Sequence, residues 1–342
     1  MTTDGVRLLA VGTSLPGAPV DNAMLARHFG QDAVWEQWIE AFIGTDTRHL
    51  AIDLDSGGLL YTLADLAETA GLRALEAANL GPGDIDVVVM GTATPDALMP
   101  ATVNMVADRL GIDGVPTYQL QSGCTGAFQA LDVARNTLLA GHRNALVLGG
   151  DVCTRIFGAD TDLTALAPEE LVNIVLFGDG AGAAVLTTED RPGAPILHPV
   201  STRLVGLGRT PGQVLEWFTK HERGDDRPPV TEDYKRIEEL VPELAEDMLA
   251  AIVDDLGWKR EELDYLLPPQ LSGRMTRRIT DRLGVPSATE VSCVSETGNT
   301  SNSLPFLQIE RLLPRLRAGE RAVAVAVESS KWIRAGLALE GV

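Results

Sequence analysis

One pattern occurs twice in this chain at a fixed spacing, and it restricts the possible folds more than any other feature. Asp86 and Gly141 have the same separation along the chain as their counterparts Asp264 and Gly319, and the offset between the copies is 178. Two matches at one offset indicate a duplicated strand-helix-strand unit. The matched segments are residues 84–90 (DIDVVVM) with 262–268 (ELDYLLP), and residues 139–148 (LAGHRNALVL) with 317–326 (RAGERAVAVA).

Hydrophobic runs alternate with helical patterns along the whole chain. Runs rich in Val, Ile and Leu predict strands buried on both faces, so the pattern indicates an α/β protein. The predicted strands are residues 6–11, 87–90, 145–148, 183–186, 265–267 and 322–327, and the predicted helices are 61–78, 102–110, 126–140, 234–256, 275–283 and 303–316. Residues 220–231, dense in charge, Gly and Pro, predict an irregular insertion.

The repeat also predicts where a functional site lies. We expect an N-terminal half, residues 1–190, and a C-terminal half, residues 191–342, packed as a pseudo-symmetric pair. In such folds the site forms where strand ends and helix starts converge. Chemistry is therefore expected from residues far apart in the sequence.

The charge balance excludes two classes of partner. The 342 residues include 28 Lys and Arg against 48 Asp and Glu, a net charge of −20. Such a chain repels phosphate backbones and anionic lipids, so neither nucleic acid nor a membrane is an expected partner. No apolar run reaches the roughly 20 residues of a membrane span, and the N-terminal residues lack a signal-peptide pattern, so we expect a cytoplasmic protein.

The three cysteines are too widely spaced for a disulfide framework or a CxxC metal site, and no metal is expected.

Cys124 lies between two glycines, in the sequence SGCTG, directly before a long helical pattern. A thiol at a helix N-terminus is activated because unpaired backbone amides favour the thiolate. Flanking glycines let backbone N–H groups approach a developing oxyanion. Cys124 is therefore a candidate nucleophile, although a small buried cysteine that fills a tight turn has the same local pattern.

Further motifs make the chain resemble the type III β-ketoacyl-acyl-carrier-protein synthases of the thiolase superfamily, from near residue 5 to about residue 340. In order, they are GTDTRHLA at 44–51, GTATP at 91–95, CTG at 124–126, FGDGAGAAVL at 177–186 and ETGNTS at 296–301. The resemblance implies a five-layer α-β-α-β-α fold built from two duplicated halves, and a homodimer. It also implies that Cys124 takes an acyl group from a thioester, with no bound cofactor.

One catalytic residue of that family is missing. The family uses Cys, His and Asn, with the His in a PHQAN stretch, and the equivalent stretch here is PPQLS at 268–272. Pro269 stands at the His position and Ser272 at the following Asn, and Pro269 precedes Asn299 by the separation that the family keeps between its His and Asn. In condensation, His and Asn donate hydrogen bonds to the enolate left by loss of carbon dioxide, and proline has no side-chain donor. Losing one such donor costs about 3 to 4 kcal/mol, so efficient decarboxylative condensation is not expected.

The half-reaction that needs only a thiolate and an oxyanion hole is retained. We therefore predict an acyltransferase of the non-condensing kind found in antibiotic biosynthesis. Cys124 would accept an acyl group and pass it to a hydroxyl or amine of a small polar acceptor, such as a sugar or cyclitol. Asn299 is predicted to donate to or orient the substrate, with capping of the following helix as its alternative role. Two other hypotheses stay open: a decarboxylative synthase with a substitute donor such as Gln270 or water, and a non-catalytic subunit of a heterodimer.

The resemblance also bears on the acyl donor. The family grips the coenzyme A nucleotide with a Trp and two Arg; Trp38 is retained here, whereas the Arg positions hold Phe42 and Leu171. Apolar side chains cannot replace the bonds of guanidinium to phosphate, so coenzyme A is the weaker candidate. The expected donor is a phosphopantetheine thioester on an acyl carrier protein or a polyketide synthase carrier domain, or else a small acyl thioester. Carrier proteins are acidic, so docking requires a basic patch. The candidates for this patch, or otherwise for a solvated helix face, are Arg274, Arg277 and Arg278.

The remaining predicted site residues surround the thiol. Backbone amides of Cys124, Ser329 and Ser330 are expected to form the oxyanion hole, at the place of the family's glycine-rich loop. Met99 matches a position that walls the acyl pocket across the family's dimer, with ordinary core as its alternative role. Gln270 is the third predicted contact to substrate, with Met99 and Trp38.

Overall fold

The structure, a computed structural model, describes residues 5–157, 163, 168–216 and 230–342. The expected irregular insertion at 220–231 lies outside these residues except for its last two, which begin a strand. The strands are β1 (Arg7–Ser14), β2 (Val20–Asp21), β3 (Thr47–Arg48), β4 (Val87–Gly91), β5 (Thr117–Leu120), β6 (Asn144–Asp151), β7 (Gly180–Thr187), β8 (Ile196–Leu197), β9 (Ser201–Leu204), β10 (Gln213–Leu215), β11 (Val230–Glu232), β12 (Tyr265–Leu267), β13 (Thr289–Glu290), β14 (Arg321–Glu328) and β15 (Ile333–Glu340). The α-helices are α1 (Asn22–His28), α2 (Ala33–Trp38), α3 (Leu63–Ala78), α4 (Thr102–Leu110), α5 (Gly126–Leu139), α6 (Thr154–Phe157), α7 (Pro168–Leu176), α8 (Tyr234–Leu256), α9 (Gly273–Leu283), α10 (Val294–Thr297) and α11 (Leu304–Leu312).

The six strands and six helices expected from the sequence are confirmed. Their ends differ from the expected ones by no more than about one helical turn. The sequence did not predict β15, because its residues IRAGLALE favour helix or turn as readily as strand. Its pairing along the whole length of β14 decides its conformation.

The strands and helices form five layers, as a thiolase-like fold requires. Hydrogen-bonded strands follow the order β13-β12-β14-β15-β8-β1-β7-β6-β4-β5, with β9 also pairing β15. Helices α3 and α4 bury their apolar faces on the N-terminal strands. Helices α8 and α9 do the same on the C-terminal strands, and α5 and α11 fill the space between the two sets of strands. The predicted five-layer α-β-α-β-α fold is confirmed.

The repeat seen in the sequence is a repeat of structure. β4 pairs parallel with β6, and β12 pairs parallel with β14. A 3₁₀ turn, Gly123–Thr125, leads into α5, and a second one, Ser301–Ser303, leads into α11; both turns and both helix starts keep the offset of the sequence repeat. The last strand of the repeat, β6 in one copy and β14 in the other, is shifted by a single position from that offset. The boundary near residue 190, between β7 and β8, stays a prediction.

Close packing fixes the start of α5 against β4. Gly91 ends β4, and a Cβ at that position would overlap the backbone of Gly126, the first residue of α5. Only a glycine therefore lets the helix approach the strand this closely. The turn that precedes α5 is held at the end of the N-terminal strands as a result.

The helices of the described residues were also compared with the length and hydrophobicity that a membrane span requires. None of them is both long enough and apolar enough to cross a bilayer.

Candidate active site

Cys124 lies where the turns of the two halves meet. Its neighbour Gly123 has φ +49°, a left-handed conformation that favours glycine, and a side chain there would overlap the carboxylate of Glu328. The counterpart of Gly123 in the second half is Ser301, which has φ +50°. The Ser301 hydroxyl donates to the sulfur of Cys124 at 3.7 Å. The repeat therefore places one turn from each half against the thiol.

Asn302, the counterpart of Cys124 in the repeat, joins the two turns. Its Nδ2 donates to the carbonyl of Gly123 at 3.0 Å and to the carboxylate of Asp151 at 2.7 Å. Its Oδ1 accepts the N–H of Ala127, in the first turn of α5, at 2.8 Å. Because Asn302 and Asp151 are fully buried, these bonds replace water and hold the nucleophile's turn rigidly.

The surroundings of Cys124 keep its thiol protonated. Burial, followed by the charge of Glu328, raises the pKa of Cys124 well above its usual value, and the Ser301 hydroxyl acts in the opposite direction. The sequence led us to expect a thiolate favoured by the N-terminus of α5. Burial and the negative charge of Glu328, whose carboxylate accepts the Cys124 amide, outweigh that effect on the pKa of Cys124. If Cys124 is the nucleophile, a proton acceptor is therefore needed for its attack.

Two cavities are lined by Cys124, and their walls also share Phe177 and Ser301. One has a volume of about 530 Å³ and a wall that mixes polar and apolar groups, among them Asp151, Glu328 and Lys331. The other is narrower, about 80 Å³, and mostly apolar, with Phe128 and Met275 in its wall. Among the described residues, no histidine lines either cavity.

Asn299 lines the narrow cavity together with Cys124 and with Pro269, the residue at the family's His position. The Asn299 side chain is buried, and its Oδ1 accepts the N–H of Ser301 at 3.0 Å. This bond matches the alternative role of Asn299, capping the turn before α11. A contact of Asn299 with substrate stays a prediction.

Gln270 also lines the narrow cavity, but its side chain is bonded to the protein. Its Oε1 accepts the backbone N–H groups of Cys293 and Val294 at 2.7 and 2.9 Å, and its Nε2 donates to the Ser292 hydroxyl at 2.8 Å. Gln270 therefore holds the segment that leads into α10. Ser272, at the place of the family's Asn, caps α9 by accepting the N–H of Met275.

The amides predicted to form the oxyanion hole converge partly on one side chain. The N–H groups of Cys124 and Ser330 both donate to Glu328, the latter at 2.7 Å. Ser329 lines the narrow cavity and Ser330 the wide one. Two amides aimed at one carboxylate form an anion-binding arrangement. The role of these amides toward a substrate oxyanion stays a prediction.

Trp38 and Met99 are not brought to Cys124 within this chain. Trp38 is half-buried against the apolar cluster around Ile39 and Ile43, whereas Met99 is 87% exposed. Neither lines a cavity at Cys124. Their expected roles, at the donor's nucleotide and at a partner subunit, stay predictions.

The predicted basic patch lies on α9, beside the narrow cavity. The side chains of Arg274, Arg277 and Arg278 are exposed, while Ser272 and Met275 of the same segment line the cavity wall. Arg278 lies 3.9 Å from a carboxylate oxygen of Glu238, at the surface. Docking of a donor on this patch stays a prediction.

Three residues at the thiol had no role in the sequence analysis: Ser301, Asn302 and Glu328. Ser301 ends the ETGNTS motif and Asn302 follows it, and the offset of the repeat would have paired them with Gly123 and Cys124. Glu328 is an acidic residue at the end of an apolar strand, and this contrast was the only indication in the sequence that it has a role at the site. Glu328 and Cys124 are 204 residues apart in the sequence, so the sequence did not predict their contact.

Comparison with known families places this site in context. The family model for 3-oxoacyl-[acyl-carrier-protein] synthase III matches residues 118–202, and the model for the C-terminal part of the same enzymes matches residues 253–329. The β-ketoacyl-[acyl-carrier-protein] synthase III 3 of Streptomyces coelicolor is 31% identical over 333 residues, covering 93% of this chain and 92% of that protein.

Solved structures extend the similarity to the whole fold. The structure of AbyA1, a tetronic acid condensing enzyme, is 60% identical and covers 98% of this chain and 100% of its own, with a TM-score of 0.95. The 3-oxoacyl-(acyl carrier protein) synthase III of Pseudomonas aeruginosa is 27% identical, with 98% of each chain covered and a TM-score of 0.83.

Proposed function

Since this chain belongs to the 3-oxoacyl-[acyl-carrier-protein] synthase III family of acyl-transferring enzymes, we propose that it moves an acyl group from a thioester, through Cys124, to an acceptor without releasing carbon dioxide. Enzymes of this family use thioester substrates and need no bound cofactor. A non-catalytic role is thereby disfavoured.

The observation that carries the proposal is the absence of histidine around the thiol. In the described residues, the cavity walls at Cys124 hold Pro269 and Asn299 but no imidazole. An enolate formed by decarboxylation would lack one of its two donors, a loss of about a hundredfold to a thousandfold in rate. An acceptor that is already nucleophilic avoids this step.

We propose that the acceptor is the α-carbon of a β-ketoacyl thioester. That carbon lies between two carbonyl groups, so its proton is acidic and no carboxylate has to leave. The name of AbyA1, a tetronic acid condensing enzyme, supports this choice through its 60% identity with this chain. A tetronic acid is a five-membered lactone in which one ring carbon lies between two carbonyl groups.

The bonds of such a ring balance without carbon dioxide. Cys124 first carries a 2-hydroxyacyl group. The α-carbon of the β-ketoacyl thioester loses a proton and attacks the carbonyl of that group, and the sulfur of Cys124 leaves and takes up a proton. The hydroxyl of the transferred group then attacks the second thioester and releases its thiol, closing the ring. One carbon-carbon and one carbon-oxygen bond form, and two thioesters are consumed.

The two cavities support a reaction between two thioesters. Both are lined by Cys124, which gives a donor and an acceptor two spaces beside the sulfur. The basic patch of Arg274, Arg277 and Arg278 beside the narrow cavity supports an acyl carrier protein as the donor. We also propose a homodimer, in which the exposed side chains of Leu98 and Met99 are covered.

The hydroxyl or amine acceptor predicted from the sequence, a sugar or cyclitol, is the second candidate. The polar groups in the wall of the wide cavity favour it, because a polyhydroxylated acceptor needs hydrogen-bond partners. It shares the acyl-enzyme step with the first candidate and differs only in the attacking atom.

Intact-protein mass spectrometry tests the shared step. The chain is incubated with a hydroxyacyl thioester on a carrier protein or on coenzyme A, and we expect an adduct that forms faster from the carrier. The adduct should vanish in Cys124→Ala and persist in Cys153→Ala, a matched control because Cys153 lines the wide cavity. No adduct on the wild-type protein, or an adduct on Cys124→Ala, would refute the function.

The acceptor is then identified by adding one candidate at a time to the acyl-enzyme. A β-ketoacyl thioester should discharge the adduct and give a product with both carbon chains. Discharge by a sugar or cyclitol alone would select the second candidate. Release of carbon dioxide from a malonyl thioester at a comparable rate would revive the decarboxylative hypothesis and remove both.

A further inference from the structure

Glu328 and Asp151 occupy equivalent places in the two halves. Asp151 is the last residue of β6, and Glu328 is the last residue of β14, the corresponding strand of the repeat. Asp151 accepts the backbone N–H of Asn302, the counterpart of Cys124. Glu328 accepts the backbone N–H of Cys124 itself. Each half thus gives a strand-end carboxylate to the turn of the other half.

The two carboxylates differ in how far the protein satisfies them. Asp151 accepts six hydrogen bonds, from backbone or side-chain groups of Thr92, Ala93, Thr94 and Asn302. Glu328 accepts from two backbone amides in the described part of the chain, those of Cys124 and Ser330. A carboxylate has about four acceptor positions, so Glu328 keeps capacity that Asp151 has used. Glu328 also lines the wide cavity.

Glu328 lies beside Cys124: its carboxylate accepts the Cys124 amide and packs against Gly123, and both residues line the wide cavity. Its charge and a hydrogen bond between the two side chains both raise the pKa of Cys124. The thiol therefore lies next to a carboxylate, in a site whose described residues include no imidazole. Other groups that face this pair are the Ser301 hydroxyl and Asp151 near the sulfur, and Glu232 near Glu328. Lys331 also lines the wide cavity, and its Nζ donates a hydrogen bond to the carbonyl of Arg209.

We propose that Glu328 is the proton acceptor for Cys124 when the acyl-enzyme forms. This inference rests on the proposed function, since it assigns the base for the acylation step. The Sγ–H bond breaks toward the Glu328 carboxylate while sulfur bonds to the thioester carbonyl carbon. The bond from that carbon to the donor sulfur then breaks, and the proton passes from Glu328 to the leaving sulfur.

Proton transfer also frees the amides that hold Glu328. Hydrogen bonds to an ionised carboxylate are roughly twice as strong as those to a neutral group. Once Glu328 takes the proton, the amides of Cys124 and Ser330 bind it more weakly. They become available at the moment when negative charge develops on the thioester oxygen.

Two reactions of Cys124 test this role because a base affects them in opposite directions. Acylation of Cys124 by a carrier-bound thioester needs a proton acceptor. The single-turnover rate of acylation should therefore fall about a hundredfold or more in Glu328→Gln. Alkylation by iodoacetamide needs only the thiolate, which the lost negative charge favours. At about pH 7 its rate should therefore rise several-fold, with the alkylation pH profile shifted to lower pH.

Controls separate this role from a structural one. Glu328→Asp keeps a carboxylate and should restore acylation at least tenfold over Glu328→Gln. Glu340→Gln is the matched control, since Glu340 lies on β15 opposite Arg321, at the far end of β14. Circular dichroism and the number of thiols that react after denaturation verify that each variant is folded and intact.

Each other outcome overturns the inference. Slower acylation with unchanged or slower alkylation would mean that Glu328 only positions Cys124. Acylation that is unchanged or faster would mean that the carboxylate merely occupies the two amides. If the wild-type protein itself is not acylated, the proposed function fails and takes this assignment with it. The wild-type rate thus separates the two failures.

Discussion

Replacing Asn302 by alanine tests whether the nucleophile's turn depends on contacts between the two halves. Asn302 is fully buried, and its side chain bonds to the Gly123 carbonyl, to the Asp151 carboxylate and to the Ala127 N–H. The bond to the charged Asp151 is worth about 1.5–3 kcal/mol, and each of the others about 1 kcal/mol. Asn302→Ala should therefore lower the free energy of unfolding by roughly 3.5–5 kcal/mol, a large part of the roughly 5–15 kcal/mol that stabilises a typical protein.

Urea unfolding followed by circular dichroism measures this loss. Asn136→Ala is the matched control because Asn136 is exposed on α5 and its Nδ2 bonds to Asp132 at 2.9 Å. We expect the control to lose less than about 0.5 kcal/mol. Acylation of Cys124 should also slow in Asn302→Ala, since the Gly123 carbonyl loses its partner. A loss below about 1 kcal/mol, the size of a single ordinary hydrogen bond, or one equal to that of the control, would refute the view that Asn302 locks the halves together.

Two further predictions concern stability against pH and assembly. Burial raises the pKa of Asp179 from 3.8 to about 6, so the folded protein holds this proton more tightly than the unfolded chain does. Relative to Asp179→Asn, the wild-type free energy of unfolding should fall by about 3 kcal/mol as the pH rises from below about 3 to above about 7. A difference independent of pH in urea titrations would contradict this. Met99 is 87% exposed in one chain and would be covered at the proposed dimer interface, so Met99→Asp would bury a charge there. Light scattering should then detect monomers, and a dimer as stable as that of the wild type would count against the interface.

Local patterns in the sequence correctly predicted six of the strands and six of the helices. Helix α8 and strand β12 begin and end where the sequence placed them, because their hydrophobic periodicity and flanking turn residues act over a few positions. β15 was missed because Ala, Gly and Leu have no strong preference for a strand. Its partner β14 supplied the information that the local sequence lacked.

Assignment of the site from the sequence depended on motifs. The cysteine turn and the loss of histidine at Pro269 were readable directly, since both concern residue types at known spacings. The state of the thiol was not readable. A helix N-terminus predicted an activated thiolate, whereas the burial of Cys124 and the charge of Glu328 keep the proton on the sulfur.

The sequence by itself determined the duplicated α/β architecture, the candidate nucleophile and the proline at the family's histidine position, because each is written in neighbouring residues or in a repeated spacing. Only the tertiary structure decided which groups face the sulfur. Glu328 lies 204 residues from Cys124 along the chain, and Ser301 lies 177 residues away. Such contacts depend on how the two halves pack. No local pattern of residues predicts which side chains of one half lie next to Cys124 of the other.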